Sequence, residues 1–192
     1  NRVWLDFRDT PIPFVTGPTP DLDSTETTPL VSLAYHFNDD LMTYASFARG
    51  YKSGGYEQRL TPGVPYAPRF EPESVDTYEL GVKSSLADGR MQLNGAIFYS
   101  DYSDMQISVI DGPAPTITNA GDATLKGAEL ELSFRPADDL NISAFAGYLD
   151  ADYDRLSPRA LASGISLASR LPNTSEWQYG ASISYEFALS EG

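Results

Sequence analysis

The chain has 192 residues, 41% of them hydrophobic, enough for one folded domain with a core. Its 13 Lys and Arg against 27 Asp and Glu leave a formal net charge of -14, which excludes a nucleic-acid surface, because phosphate neutralisation needs a basic face. With no cysteine, disulfide frameworks and thiolate chemistry are also excluded, and no apolar run approaches the roughly 18 residues of a membrane helix.

Period-2 alternation of apolar and polar residues recurs along most of the chain. A first strand is expected at Val3 to Arg8, then a Pro, Thr and Asp-rich connection through Thr28 whose prolines lack ladder donors. The next strand, Leu30 to Phe37, sets Val31, Leu33, Tyr35 and Phe37 against Ser32, Ala34 and His36, and Asn38 to Asp40 turn it. A strand at Leu41 to Tyr51 alternates less cleanly, because Tyr44 and Phe47 fall on opposite faces. After a Gly and Pro-rich loop from Lys52 to Glu71 comes the clearest unit, a hairpin over Pro72 to Met105 turned by Ala87, Asp88 and Gly89. Its first arm places Tyr78, Leu80, Val82 and Leu86 opposite in face to Thr77, Glu79, Gly81, Lys83 and Ser85. The second arm repeats this, with Met91, Leu93, Ile97 and Tyr99 against Gln92, Asn94, Ala96, Phe98 and Ser100.

Asp111 to Thr118 is expected to be a shorter loop. A strand then carries Ala128, Leu130, Leu132 and Phe134 on one face and Gly127, Glu129, Glu131, Ser133 and Arg135 on the other, before a turn at Pro136 to Asp139. Its return strand alternates from Leu140 to Tyr148, and a loop follows from about Asp154 to Asn173. The last strand sets Trp177, Tyr179, Ala181, Ile183, Tyr185 and Phe187 against Glu176, Gln178, Gly180, Ser182, Ser184 and Glu186.

Connections thus alternate between tight and long, which in an antiparallel meander puts tight turns on one rim and extended loops on the other. A soluble all-β sandwich or barrel would also alternate. Three features favour a membrane wall instead: strands of about ten residues, close to a tilted membrane crossing; polar faces of Gly, Ser, Asn, Gln and Glu rather than Lys; and Tyr35, Tyr99, Phe134, Tyr148, Trp177, Tyr185 and Phe187 near strand ends, where an aromatic girdle belongs. The fold class expected is an all-β antiparallel transmembrane β-barrel, about eight strands of a larger barrel. Asn1 is not a start methionine and the chain stops just past a strand, so an internal piece of something longer is expected.

The ordered motifs YASFARGYKSGGY (Tyr44 to Tyr56), FEPESVDTYELGVKSSLADGRMQLNGAIFYSDYSDMQI (Phe70 to Ile107), ITNAGDATLKGAELELSFRP (Ile117 to Pro136) and LPNTSEWQYGASISYEF (Leu171 to Phe187) resemble the TonB-dependent outer-membrane receptors. That resemblance implies a monomeric barrel of about twenty-two strands in the bacterial outer membrane, plugged by an N-terminal domain, energised through TonB, and importing scarce bulky solutes, most often ferric siderophores. Neither plug, TonB-contacting segment nor terminal strands is found in these residues, so the chain reads as an interior portion of the barrel. It also implies outer-membrane lipid, a plug domain, TonB and a ferric chelate as partners, with no cofactor and no catalytic chemistry. The polar-face residues Glu79, Lys83, Gln92, Asn94, Glu129, Glu131, Arg135, Glu176 and Glu186 read either as a hydrated wall or as the surface that holds the plug. At the outer loop Tyr51, Lys52, Tyr56, Arg59 and Arg69 combine aromatics and cations suited to an anionic chelate.

Other motifs fail on their own chemistry. Asp150, Asp152 and Asp154 mimic the start of a calcium loop, but its sixth position is Arg155 rather than Gly and its twelfth is Leu161 rather than Glu. With His36 the sole histidine, neither a triad nor a two-histidine metal centre can be built here. Gly164 to Ala168 comes near a nucleophile elbow without its strand-turn-helix setting. Two alternatives to the receptor reading remain, a soluble all-β binding or adhesion module and a small complete eight-stranded barrel.

Overall fold

The computed structural model describes residues 25–56, 69–110 and 115–187. The strand expected at Val3 to Arg8 and most of the connection that follows it lie outside the described residues. Nine strands and one helix are described: β1 (Leu30–Asn38), β2 (Leu41–Lys52), β3 (Gly55–Tyr56), β4 (Arg69–Phe70), β5 (Glu73–Leu86), β6 (Met91–Ile110), β7 (Pro115–Ala137), β8 (Leu140–Leu156), α1 (Pro158–Ala162) and β9 (Trp177–Tyr185). Seven of them form one antiparallel meander in the order β1-β2-β5-β6-β7-β8-β9, while β3 and β4 pair separately. Where eight strands were expected, seven are described in the sheet, and its edges β1 and β9 do not pair with each other.

Register sorts the side chains. Phe47, Tyr78 and Tyr99 stand level across β2, β5 and β6, and Ala45, Leu80, Ile97, Ala128, Tyr148 and Trp177 share a row across six strands. All of them lie on a single apolar face. On β2 this face runs from Leu41 to Phe47, but on β9 it runs from Trp177 to Tyr185, its outer end two residues and its inner end four residues nearer the tight turns. An apolar band that slants across register rows is what tilted strands in a flat bilayer require. On β9 it measures about 26 Å along the strand, matching a tilted membrane crossing.

Both edges of the band are marked. At its outer edge Phe47 packs on Tyr78 at 5.1 Å and Tyr148 on Trp177 at 4.9 Å, and the next residues up are the ion pairs Arg49–Asp76 and Lys126–Asp150. At the tight-turn edge lie Tyr35 with Phe37, and Tyr185 with Phe187. The expected aromatics therefore resolve into two lines, as bilayer interfaces demand.

Tyr44 explains the imperfect alternation of β2. It sits on the polar face directly opposite Gly81, with its ring laid over that glycine, as Phe98 lies over Gly127 and Phe145 over Gly180. Each ring fills the space that a neighbouring side chain would occupy, which repairs a glycine in a strand interior.

Three expectations about connections need correction. The loop expected at Asp111 to Thr118 is strand from Pro115 to Thr118, where the start of β7 pairs with the end of β6, which reaches Ile110. This ribbon rises about 36 Å along the strand beyond Tyr99. The loop from Lys52 to Glu71 contains the β3–β4 pair. In the loop expected from Asp154, β8 continues to Leu156 and α1 follows, capped by Ser157, whose hydroxyl accepts from the Ala160 N–H, with Pro158 in the first turn. All three additions lie above the membrane, where long-range pairing decides whether Gly and Pro-rich sequence becomes strand.

Burial is concentrated there as well. Ile107, Val109, Ala120 and Ala160 form one buried cluster and Ala123, Tyr153 and Leu171 another, whereas the wall is a single layer with no interior of its own. Placing a charge on the apolar face is therefore expected to be costly only within the band. Val82→Arg, at mid-band, should lower bilayer-embedded stability by about 2–4 kcal/mol in urea titrations, while Gln92→Arg on the polar face should change it by less than about 0.5 kcal/mol.

Candidate functional site

Two surfaces can do chemistry: the polar face of the wall and the rim above it. On the wall, register brings six of the nine expected lumen residues together. Lys83, Asn94 and Glu131 stand in one row, Glu129 lies opposite Ala96, Gln92 opposite Ser133, and Glu79 one residue pair above Gly81. Tyr44 completes the patch. Its hydroxyl donates to Glu79 Oε1 at 2.6 Å, and Lys83 Nζ lies 5.8 Å from its ring centroid. Acid, amide and lysine groups thus line a groove of 180 Å³ with Tyr44, Asn94, Glu129 and Glu131 in its wall. Arg135 and Glu186 lie apart at the tight-turn rim, and Glu176 at the outer end of β9. The sequence reading missed Tyr44, whose one local sign is the imperfect alternation of β2; the glycine it lies over is set opposite it only by strand pairing.

At the outer rim the expected solute residues are brought together only in part. Tyr56 on β3 stands opposite Arg69 on β4, and Arg69 is paired with Glu71 at 3.0 Å. Lys52 ends β2 with its ammonium 4.0 Å from Glu73, and Tyr51 is its neighbour. Arg59 lies outside the described residues.

The raised ribbon is held by a second set of contacts. Arg155 makes a two-pronged contact with Asp122, through Nε at 2.7 Å and Nη2 at 2.9 Å, and reaches Asp104 at 3.9 Å. Those two hydrogen bonds, aided by the Asp104 backbone N–H and opposed by partial burial, hold the Asp122 carboxyl below the usual carboxylate range. Burial pushes the Tyr153 and Tyr102 hydroxyls upward, the latter with help from Glu73. Two of the three acids that mimic a calcium loop are engaged otherwise: Asp150 pairs with Lys126 at 3.1 Å, and Asp154 accepts from Thr124 at 2.7 Å. Among the described residues no group of three or more potential metal ligands assembles. His36 lies on the polar face near the β1–β2 turn, opposite Met42.

A family model described as TonB dependent receptor-like, beta-barrel, matches residues 3–192. The chain belongs to the TonB-dependent receptor β-barrel family. Its strands are therefore wall of an outer-membrane barrel, the apolar band facing lipid and the polar face the lumen. This receptor segment is 37% identical over 107 residues to the pesticin receptor of Yersinia enterocolitica, covering 55% of the chain and 15% of that protein. With the metal-pseudopaline receptor CntO of Pseudomonas aeruginosa it shares 26% over 161 residues, 83% of the chain and 21% of the relative. The crystal structure of the ferric yersiniabactin uptake receptor FyuA from Yersinia pestis superposes with a TM-score of 0.65 at 28% identity, over 81% of the chain and 22% of FyuA. The chain thus spans about a fifth or less of the length of these relatives.

The rim contacts have two testable consequences. Because the Asp122 carboxyl is depressed when folded, its contribution is present above the ordinary carboxylate pKa of about 4 and lost as pH falls through the lower folded value. Limited proteolysis of the embedded receptor should find the ribbon protected at pH 7 and progressively more accessible as pH falls below about 4, and Asp122→Asn should flatten that dependence. Gly121, with φ of 144°, has no room for a Cβ, which would run into the Arg155 carbonyl. Gly121→Ala should expose the ribbon to protease while heat-modifiable migration of the barrel persists.

Proposed function

We propose that the segment serves an active-transport receptor for a ferric siderophore, with its wall enclosing a plug domain and its rim contributing to solute capture. The carrying observation is a division of labour: one sheet with an apolar band on one face and a charged, hydrogen-bonding patch on the other, and above it the separate β3–β4 pair presenting Tyr56 and Arg69. Membership in the receptor family and the ferric yersiniabactin cargo of FyuA support a ferric chelate as solute. Among the described residues β1 and β9 stand at the two ends of an unclosed sheet, and this supports placement within a larger barrel, since open edges are not tolerated in hydrocarbon. In this reading Glu79, Lys83, Gln92, Asn94, Glu129 and Glu131 hold the plug, TonB supplies the energy through the plug, and no bond is made or broken by the wall. Tyr51, Lys52, Tyr56 and Arg69 meet the solute through ring faces and positive charge.

The test is uptake of radiolabelled iron by cells whose only siderophore receptor is the full-length protein. Transport of ferric yersiniabactin, or of a ferric catecholate or hydroxamate, should require both this receptor and TonB. Replacing Tyr56 and Arg69 together by Ala should weaken binding of the transported chelate by at least about tenfold, equivalent to about 1.4 kcal/mol. Uptake that persists without TonB, or no uptake of any ferric chelate, would refute the reading.

A further inference from the structure

The outer connection between β2 and β5 leaves and re-enters the wall at Ser53 and Glu71, and both ends are held by side-chain amides of the raised ribbon. The Gln106 amide donates to the Ser53 carbonyl at 3.0 Å and to the Glu71 carbonyl at 3.1 Å, so one side chain ties the departing strand to the returning one. Asn119, paired with Gln106 across β6 and β7, accepts from the Glu71 N–H at 2.7 Å and donates to the Glu71 carbonyl at 2.9 Å. Its amide also donates to the Asp104 carbonyl at 2.7 Å, and the Gln106 backbone N–H donates to Glu73 at 2.6 Å. Every hydrogen-bonding group of the Glu71 peptide is thereby claimed by the ribbon.

The ribbon's backbone is shaped to allow this. Register breaks on both sides of Met105, where Asp104 takes a left-handed φ of 53° and Gly121 faces Met105. Such irregularities re-aim the side chains beyond them, and here they set Gln106 and Asn119 against the loop root. Gln106 is 9% exposed, so it holds the root from within the packed rim.

We infer that Gln106 and Asn119 are positioning residues for solute capture, a clamp that fixes β3 and β4 to the ribbon so that Tyr56 and Arg69 are presented in one place. The role in capture rests on the proposed uptake function; the clamp itself does not. Holding the contact residues before the solute arrives removes an ordering cost from binding.

The segment has no cysteine, so nitroxide labels at Ser53→Cys and Leu161→Cys can report the separation of loop root and rim in the full-length receptor, in a cysteine-free background, embedded in bilayers. The unsubstituted receptor should give one narrow distance distribution. Gln106→Glu keeps the size but turns both donors into acceptors aimed at carbonyls, and Asn119→Ala removes all three bonds, so each should broaden the distribution. Asn119→Asp, which retains the acceptor for the Glu71 N–H but sets an oxygen against the Glu71 and Asp104 carbonyls, should broaden it as Gln106→Glu does. Affinity for ferric yersiniabactin, or for whichever of the three chelates is transported, should drop by about tenfold in Gln106→Glu and Asn119→Ala with the number of sites unchanged. Ser182→Ala, which removes the Ser143–Ser182 hydrogen bond of the wall, should alter neither reading. Unchanged distributions in both Gln106→Glu and Asn119→Ala would overturn the clamp, and broadened distributions with unchanged affinity would overturn its role in capture. Should the unsubstituted receptor bind no ferric chelate, the uptake reading fails, while the distances still decide the clamp.

Discussion

In hydrocarbon a backbone N–H or C=O has no water to turn to, so each strand must place its polar groups in the ladders of its neighbours. That requirement ties the seven strands together more tightly than any side-chain contact, and with it comes a register. Because side chains alternate, a slip of one residue between β6 and β7 would carry Glu129, Glu131 and Arg135 into lipid and Leu130 and Leu132 into water. The pairings Leu93 with Leu132, Ile97 with Ala128 and Asn94 with Glu131 are therefore imposed by the solvent on each side of the wall. A soluble sheet buries its apolar face against other protein. Here that face carries Leu80, Ile97 and Leu130 more than half exposed, as the lipid-facing surface of a barrel should.

Above the aromatic line the constraint reverses. Water satisfies the backbone, so the chain can leave the ladder, and structure persists only where side chains hold it. Arg155 on Asp122, the cap at Ser157, and the clusters around Val109 and Tyr153 do so, as do the amides of Gln106 and Asn119. The rim is thus built as a small globular protein is, while the wall is built as a membrane protein is. Under the proposed uptake function, solute recognition can therefore vary at the rim without disturbing the register beneath it.

The polar face is kept level by its aromatic rings, as the proposed fit of a plug against it requires. Tyr44, Phe98 and Phe145 lie against Gly81, Gly127 and Gly180 instead of projecting, and Tyr44 directs its hydroxyl to Glu79. Rings laid on glycines fill the wall without obstructing the space it encloses.

Alternation and turn residues alone were enough to read the wall: β1, β5, the membrane part of β6 and β7, and β9 lie where the pattern put them, with the same faces, and the tight turns fall at one rim. Those features are local, because a period of two and an Asp-Gly turn depend on neighbouring residues only. That the six polar residues of the patch share one face was also legible, since residues two apart share one side. Tyr44 at its centre was not, because its place depends on Gly81, 37 positions away and opposite it only after pairing. The ribbon above the membrane, the β3–β4 pair, and the hold of Gln106 and Asn119 on Ser53 and Glu71 were likewise invisible. Sequence determined which residues face lipid and which face water, because the bilayer imposes one period on every crossing strand. Tertiary structure decided which distant residues meet at the rim, because there the partners are chosen by packing and hydrogen bonds between segments that local pattern cannot connect.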